Sequence, residues 1–101
     1  MVMEISPAQF GQEVRECRMP VLLEFYASWC PRCAMMEDVL EQFASANSGR
    51  IKVCRIDEED SALLMERYGV DRVPAFLAFS GGEVTGAVVG VVSADVLEKL
   101  F

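Results

Sequence analysis

Two cysteines separated by two residues are the feature of this sequence that most directly suggests chemistry. They are Cys30 and Cys33, within the segment Trp29-Cys30-Pro31-Arg32-Cys33. At the start of a helix, two such thiols lie about one turn apart and can close a small disulfide ring. We expect the first thiol to stay exposed at the helix N-terminus, where the partial positive charge favours a thiolate. The second thiol is then placed to attack a mixed disulfide within the same molecule.

Two cysteines at this spacing can also form half of a zinc site, but a complete zinc site needs two further ligands. The sequence has no histidine, and its other cysteines, Cys17 and Cys54, do not form a second close pair. The absence of histidine also excludes Ser-His and Cys-His catalysis within this chain. Because a predicted strand precedes the motif and a predicted helix follows it, we favour a redox pair over a metal site or incidental core cysteines.

The elements around the motif alternate between strand and helix, which indicates an α/β fold with a central mixed sheet and helices on both faces. The chain is expected to form a single domain over residues 1–101, in the order strand, helix, strand, helix, strand, helix, strand, strand, helix. The predicted strands are 2–5, 21–26, 51–57, 75–80 and 84–89, and the predicted helices are 6–17, 30–46, 61–68 and one capped by Ser93. Gly81-Gly82 predicts a hairpin between the last two strands. Met35, Val39 and Phe43 form the predicted apolar stripe of the long helix, with Met36 and Leu40 beside it.

The composition of the chain excludes some classes of binding partner and bears on its location. The chain has 101 residues, a formal net charge of −7 and 52% apolar residues, enough for one core. The negative charge argues against nucleic acid and against an anionic membrane surface as partners, and it favours a soluble monomer. The start, Met1-Val2-Met3-Glu4, has neither a basic region nor a long apolar stretch. A cytoplasmic location is therefore expected.

Four segments, taken in this order, closely resemble the thioredoxin family over essentially the whole chain. They are Val21 to Cys30, Tyr68 to Pro74, Phe79 to Val84, and Gly90. They resemble the family's central strand leading into its active site, its lead-in to a cis-proline, its hairpin, and its glycine beside the substrate groove. The resemblance implies a thioredoxin fold and a protein-disulfide reductase.

The resemblance also implies roles for individual residues. Cys30 would be the nucleophile and Cys33 the resolving thiol, with a redox-active disulfide forming between them. Pro74 would follow a cis bond that leaves the Val73 backbone free to pair with a substrate strand. Trp29 and Gly90 would join these two residues in an apolar surface for partner proteins. No cofactor would be bound, and the dithiol would be restored by a flavoprotein of the thioredoxin reductase type that uses NADPH.

Glu24 interrupts an otherwise apolar strand, at a position where the family usually has an aspartate. The resemblance implies that Glu24 accepts the proton of Cys33. The family often has a lysine near that aspartate, but the matching position here is Val53, so we expect Glu24 to lack a cationic neighbour. The family's helix proline is replaced by Asp38, which predicts a straighter helix.

The spacer Pro31-Arg32 also departs from the family's more familiar Gly-Pro. It lies beside the thiolate, and Arg32 is expected to favour the ionised form, so both residues should tune the redox poise. The sequence thus predicts a thiol–disulfide oxidoreductase that reduces protein disulfides. The alternatives are a more oxidising, isomerase-like protein of the same fold, or a binding module that uses the groove without turnover.

Overall fold

The computed structural model describes residues 1–101, and its centre is a five-stranded sheet in the order β1-β3-β2-β4-β5. The strands are β1 (Val2–Glu4), β2 (Val21–Tyr26), β3 (Lys52–Asp57), β4 (Ala75–Ser80) and β5 (Glu83–Val89). Strands β1, β3 and β2 are parallel, whereas β4 is antiparallel to β2 and to β5. The predicted mixed sheet is confirmed, and β2 and β4 have the predicted bounds.

Helices cover both faces of the sheet, as predicted. The α-helices are α1 (Pro31–Met35), α2 (Glu37–Ala46), α3 (Ala62–Arg67) and α4 (Ala94–Glu98). One core contains Met65 of α3 and the side chains of Val21, Leu23 and Phe25. The other contains residues of α2 and α4 together with Leu22. Strand β2 contributes side chains to both cores. Its sequence is therefore almost entirely apolar, with a single charged residue.

Two glycines form the turn between β4 and β5. Gly81 and Gly82 have φ values of +61° and +83°, which only glycine adopts without strain. The predicted hairpin between β4 and β5 is therefore confirmed.

The first predicted helix, residues 6–17, is wrong in type. Residues Pro7–Gln9 form a 3₁₀ turn and Gly11–Arg15 form a π-helical turn instead. The Gln9 side chain accepts a hydrogen bond from the Ser6 backbone N–H at 2.9 Å, which caps the start of the 3₁₀ turn. A glycine inside the segment costs an α-helix about 1 kcal/mol, which helps to explain why the regular helix does not continue.

The helix predicted over residues 30–46 is interrupted, so two helices follow the cysteine motif. It breaks at Met36, whose backbone N–H bonds to the carbonyl of Cys33, three residues back, at 3.0 Å. The buried residues Met36, Leu40 and Phe43 follow one another at helical spacing. Met36 is fully buried whereas Met35 is 64% exposed, so the predicted stripe is wrong at Met35. None of the helices has the length and apolar character needed to cross a membrane.

Candidate active site

The two cysteines of the motif lie where β2 has ended and α1 begins. Cys30 is the N-cap residue of α1, and Pro31 is the first residue of the helix. The Cys30 Sγ atom accepts a hydrogen bond from the backbone N–H of Cys33 at 3.2 Å. A proline at this position is preorganised for a helix and has no N–H to leave unsatisfied. The sequence therefore places both sulfur atoms at the positive end of α1, in contact range of each other.

The first thiol is less exposed than the sequence predicted. Cys30 is 7% exposed and Cys33 is 2% exposed, and both are free thiols. They pack with Ala27, and Val73 lies against the same small cluster. The Cys30 Sγ atom is 4.0 Å from the Val73 carbonyl oxygen. Only a small part of Cys30 is thus open to a partner, next to the 72% exposed side chain of Trp29.

The predicted partner surface is assembled from two loops. The Val73–Pro74 peptide bond is cis, and the Gly90 backbone N–H bonds to the Pro74 carbonyl at 2.8 Å. A groove of about 550 Å³ runs beside this loop, lined by Trp29, Cys30, Pro31, Arg32, Glu58, Asp71, Arg72 and Val73. Gly90 is therefore bonded to this loop through its backbone and is not among the residues that line the groove. With two acidic and two basic side chains in its wall, the groove is more polar than the sequence predicted.

Glu24 lies on β2, on the face covered by α2, and it is fully buried. Neither of its carboxylate oxygens has a hydrogen-bond partner. Burial raises the pKa of Glu24 to about 7, although Arg55 opposes the shift, and the negative charges of Glu37 and Glu4 add to it. A carboxyl group with this pKa can both accept and return a proton at neutral pH.

Arg55 corrects the expectation that Glu24 has no cationic neighbour. The register of β2 and β3 pairs Glu24 with Arg55, and the distance from Arg55 Nε to Glu24 Oε1 is 3.5 Å. Side chains alternate along a strand, so residues 53 and 55 point to the same face. The cation beside Glu24 is therefore at position 55, not at position 53, where the sequence analysis looked for it. Strand alternation was the signal that could have identified it.

Burial also affects the second thiol of the motif. The pKa of Cys33 is raised, first by burial, then by its contact with the Cys30 side chain, with smaller contributions from the negative charges of Cys30 and Glu24. Cys33 is therefore a protonated thiol at neutral pH, and it needs a proton acceptor before it can act as a nucleophile.

The other two cysteines lie away from this site. Cys54 is fully buried, and burial raises its pKa to about 11. Cys17 is half-buried and packs against the same core as Cys54. No group of three or more His, Cys, Asp or Glu side chains is arranged to hold a metal ion.

The whole chain, residues 1–101, matches the family model described as Thioredoxin. It is 35% identical to "Thioredoxin M4, chloroplastic" of Arabidopsis thaliana over 97% of this chain and 51% of that protein. It is 34% identical to "Thioredoxin" of Porphyra purpurea, with 97% of this chain and 92% of that protein covered. "Thioredoxin 1" of Nostoc sp. is 31% identical over 95% of this chain and 90% of its own length.

The chain thus spans about half the length of the Arabidopsis relative and most of the length of the other two. The five-stranded mixed sheet and the cysteine pair before α1 agree with these likenesses. The chain therefore belongs to the thioredoxin family, whose members are thiol–disulfide oxidoreductases that reduce protein disulfides.

Proposed function

We propose that this chain reduces disulfide bonds of partner proteins through Cys30 and Cys33. The observation that carries the proposal is the contact at the start of α1 in which the backbone N–H of Cys33 donates a hydrogen bond to Cys30 Sγ at 3.2 Å. The helix N-terminus and this donor both stabilise negative charge on Cys30. Cys30 is also the more exposed of the two residues, so it is the attacking thiol.

The reaction proceeds in two exchanges. In the first, the Cys30 thiolate bonds to one sulfur of the substrate disulfide, and the other sulfur leaves and takes up a proton. In the second, Cys33 gives its proton to Glu24 and attacks Cys30 Sγ, which breaks the bond to the substrate. The second substrate sulfur leaves as a thiolate and is protonated in turn. The substrate gains two electrons, and a Cys30–Cys33 disulfide forms.

Glu24 is the proton acceptor of the second exchange. Its carboxylate is fully buried, and its charge is close enough to raise the pKa of the Cys33 thiol. No histidine is available for this task. A pKa of about 7 leaves a large ionised fraction of Glu24 at neutral pH, which general-base catalysis requires.

The partner surface consists of Trp29, Val73 and Pro74, together with Gly90, whose backbone N–H bonds to the Pro74 carbonyl. An extended substrate segment would pair with the Val73 backbone, in the manner of a strand added to a sheet. Pro31 and Arg32 form the wall of the groove next to Cys30 and tune its redox poise. We further propose that the chain acts as a monomeric single domain in the cytoplasm. Its dithiol is restored by a flavoprotein of the thioredoxin reductase type that draws electrons from NADPH.

The test is the reduction of insulin by dithiothreitol, followed by the turbidity of the released chains. The wild-type protein should accelerate the reaction, and Cys30→Ser and Cys33→Ser should not. Cys17→Ser is the matched control and should behave as wild type, because Cys17 lies outside the site. A wild-type protein that binds insulin without accelerating its reduction would instead identify a binding module.

A further inference from the structure

The groove beside Cys30 has charged side chains of both signs in its wall. The cations are Arg32 and Arg72, and the anions are Glu58 and Asp71. They come from two parts of the chain, the start of α1 and the segment between β3 and β4. A wholly apolar occupant would remove water from these groups without replacing its hydrogen bonds, and this costs free energy. We therefore expect an occupant that itself has charges of both signs.

Some of these charges have no partner within the chain. Neither Arg32 nor Glu58 takes part in an ion pair. Arg72 Nε lies 3.3 Å from Asp71 Oδ1, but the two side chains are 69% and 79% exposed. An exposed pair of this kind contributes little to stability and can exchange partners when a ligand arrives. The groove thus has one free cation, one free anion and a second pair that can open.

The backbone at residue 73, which also lines the groove, is unpaired as well. The Val73 N–H donates to no backbone carbonyl, and the Val73 carbonyl accepts from no backbone N–H. The one contact of that carbonyl is with Cys30 Sγ, at the long distance of 4.0 Å. A peptide bond of the occupant can therefore form hydrogen bonds with both backbone groups.

The kind of occupant follows from where its charges must lie. The charged side chains and Val73 surround a single thiol, that of Cys30. A disulfide inside a long protein chain has no chain terminus next to its sulfur atoms, so the charges around it differ from one protein to another. A short peptide thiol always has a free ammonium group and a free carboxylate close to its sulfur. The groove, of about 550 Å³, also has the volume of a small-molecule site.

We propose that the groove binds a short peptide thiol with free carboxylate and ammonium groups, and that the chain reduces mixed disulfides between such a thiol and a protein. Arg32 and Arg72 bind the carboxylates, and Glu58 binds the ammonium group. The Val73 backbone pairs with a peptide bond of the ligand. The inference rests on the proposed function, because it uses the same two thiols.

This binding mode determines which sulfur of the mixed disulfide is attacked. With the peptide in the groove, the Cys30 thiolate bonds to the peptide sulfur, and the protein sulfur leaves and takes up a proton. Cys33 then gives its proton to Glu24 and attacks Cys30 Sγ. The peptide leaves as a thiolate and is protonated in turn. The mixed disulfide gains two electrons, and a Cys30–Cys33 disulfide forms.

The first experiment identifies the sulfur that is attacked. A small protein with one cysteine is converted to its mixed disulfide with glutathione, a tripeptide thiol with two carboxylates and one ammonium group. Cys33→Ser, which can attack but cannot resolve, is mixed with this substrate, and mass spectrometry identifies the adduct. We expect Cys30 to be bonded to the tripeptide. An adduct between Cys30 and the substrate protein would overturn the inference.

The second experiment measures the contribution of the charges. The rate constant of reduction is compared for mixed disulfides made with glutathione and with its diester, in which both carboxylates are neutral. The wild-type protein should favour the charged form. Arg72→Gln should reduce this preference by about two- to five-fold, the size expected of an exposed charge pair. Arg67→Gln, the matched control, should retain it, because Arg67 lies over the Tyr68 ring, outside the groove.

The outcomes separate this inference from the proposed function. A protein that reduces neither insulin nor either mixed disulfide is not a reductase, and both proposals fail. A protein that reduces insulin but treats glutathione and its diester alike retains the proposed function and loses only the further inference. Equal effects of Arg72→Gln and Arg67→Gln would trace the preference to net charge and would overturn the inference too. Both substitutions are at exposed residues, so the comparison does not depend on a change in folding.

Discussion

At the scale of single residues, Glu24 links the stability of the fold to its chemistry. A buried carboxyl group without a hydrogen-bond donor is easier to bury in the protonated form. Its pKa of about 7, compared with an ordinary value of 4.5, means that the folded chain holds a proton that the unfolded chain has released. Stability associated with Glu24 is therefore complete below pH 4.5 and is lost as the pH rises toward 7.

Replacing Glu24 by glutamine should remove this loss. The free energy of unfolding of the wild-type protein should fall relative to that of Glu24→Gln between about pH 4.5 and 7, and the difference should then level off. At neutral pH and above, the variant should be more stable by up to about 3 kcal/mol, a figure in which the opposing effect of Arg55 is already included. Urea unfolding across this pH range measures the difference. Parallel curves for the two proteins would contradict the shifted pKa.

The order in which the thiols react is a second prediction at this scale. Brief alkylation of the reduced protein should label Cys30 ahead of Cys33, Cys54 and the more exposed Cys17, because a stabilised thiolate outweighs exposure. Mass spectrometry of the digested protein identifies the labelled residue.

Trapping of mixed disulfides tests the same assignment, with Cys33→Ser and Cys30→Ser as the matched pair of variants. Cys33→Ser should accumulate mixed disulfides with substrate proteins, since attack can occur and resolution cannot. Preferential labelling of Cys33, with trapping seen only in Cys30→Ser, would reverse the assignment of the two thiols.

At the scale of elements, the strands were predictable and their neighbours across the sheet were not. The apolar run of β2 and the paired glycines before β5 are local signals, and both predictions hold. Local patterns could not identify the Met36 break, which depends on how α2 packs onto the sheet. The contact of Arg55 with Glu24 depends on the register of β2 and β3, and matching single positions to a family does not give that register.

The end of the chain packs closely on β5, and this contact predicts the effect of a small change. A Cβ atom at Gly86 would lie 2.7 Å from the Leu100 carbonyl oxygen and 3.0 Å from its Cα atom. The same oxygen accepts a hydrogen bond from the Thr85 hydroxyl at 2.9 Å. Gly86→Ala should therefore displace the C-terminal segment and cost about 1–3 kcal/mol in denaturant unfolding.

Gly11→Ala is the matched control for that substitution. Its nearest atom to the added Cβ, Glu16 Oε2, is 4.0 Å away, and residue 11 is helical. The control should be neutral or slightly stabilising. Equal losses of stability in the two variants would mean that the contact with Leu100 is not the cause.

At the scale of the whole molecule, charge repulsion opposes compactness. The chain has 16 acidic and nine basic residues, which leaves a net charge of −7. Salt shortens the range of repulsion between surface carboxylates from about 30 Å at 0.01 M to about 8 Å at 0.15 M. The midpoint of thermal unfolding at pH 7 should therefore rise by a few degrees over this range.

The control for the salt effect is the same titration near the isoelectric point of about 4.5. There the net charge is close to zero, and added salt should leave the midpoint of thermal unfolding nearly unchanged. A midpoint at neutral pH that falls with salt would show that attractive ion pairs, such as Lys52 with Glu13, outweigh the net repulsion.

The exposed indole beside Cys30 has an optical consequence. Trp29 is the only tryptophan in the chain, and it is already 72% exposed to solvent in the folded protein. Its emission wavelength therefore changes little on unfolding, whereas a docked partner that removes water from the ring shifts the emission toward the blue. Circular dichroism follows the folding of the sheet and helices. The unlabelled protein thus carries two separate signals, one for encounter with a partner and one for folding.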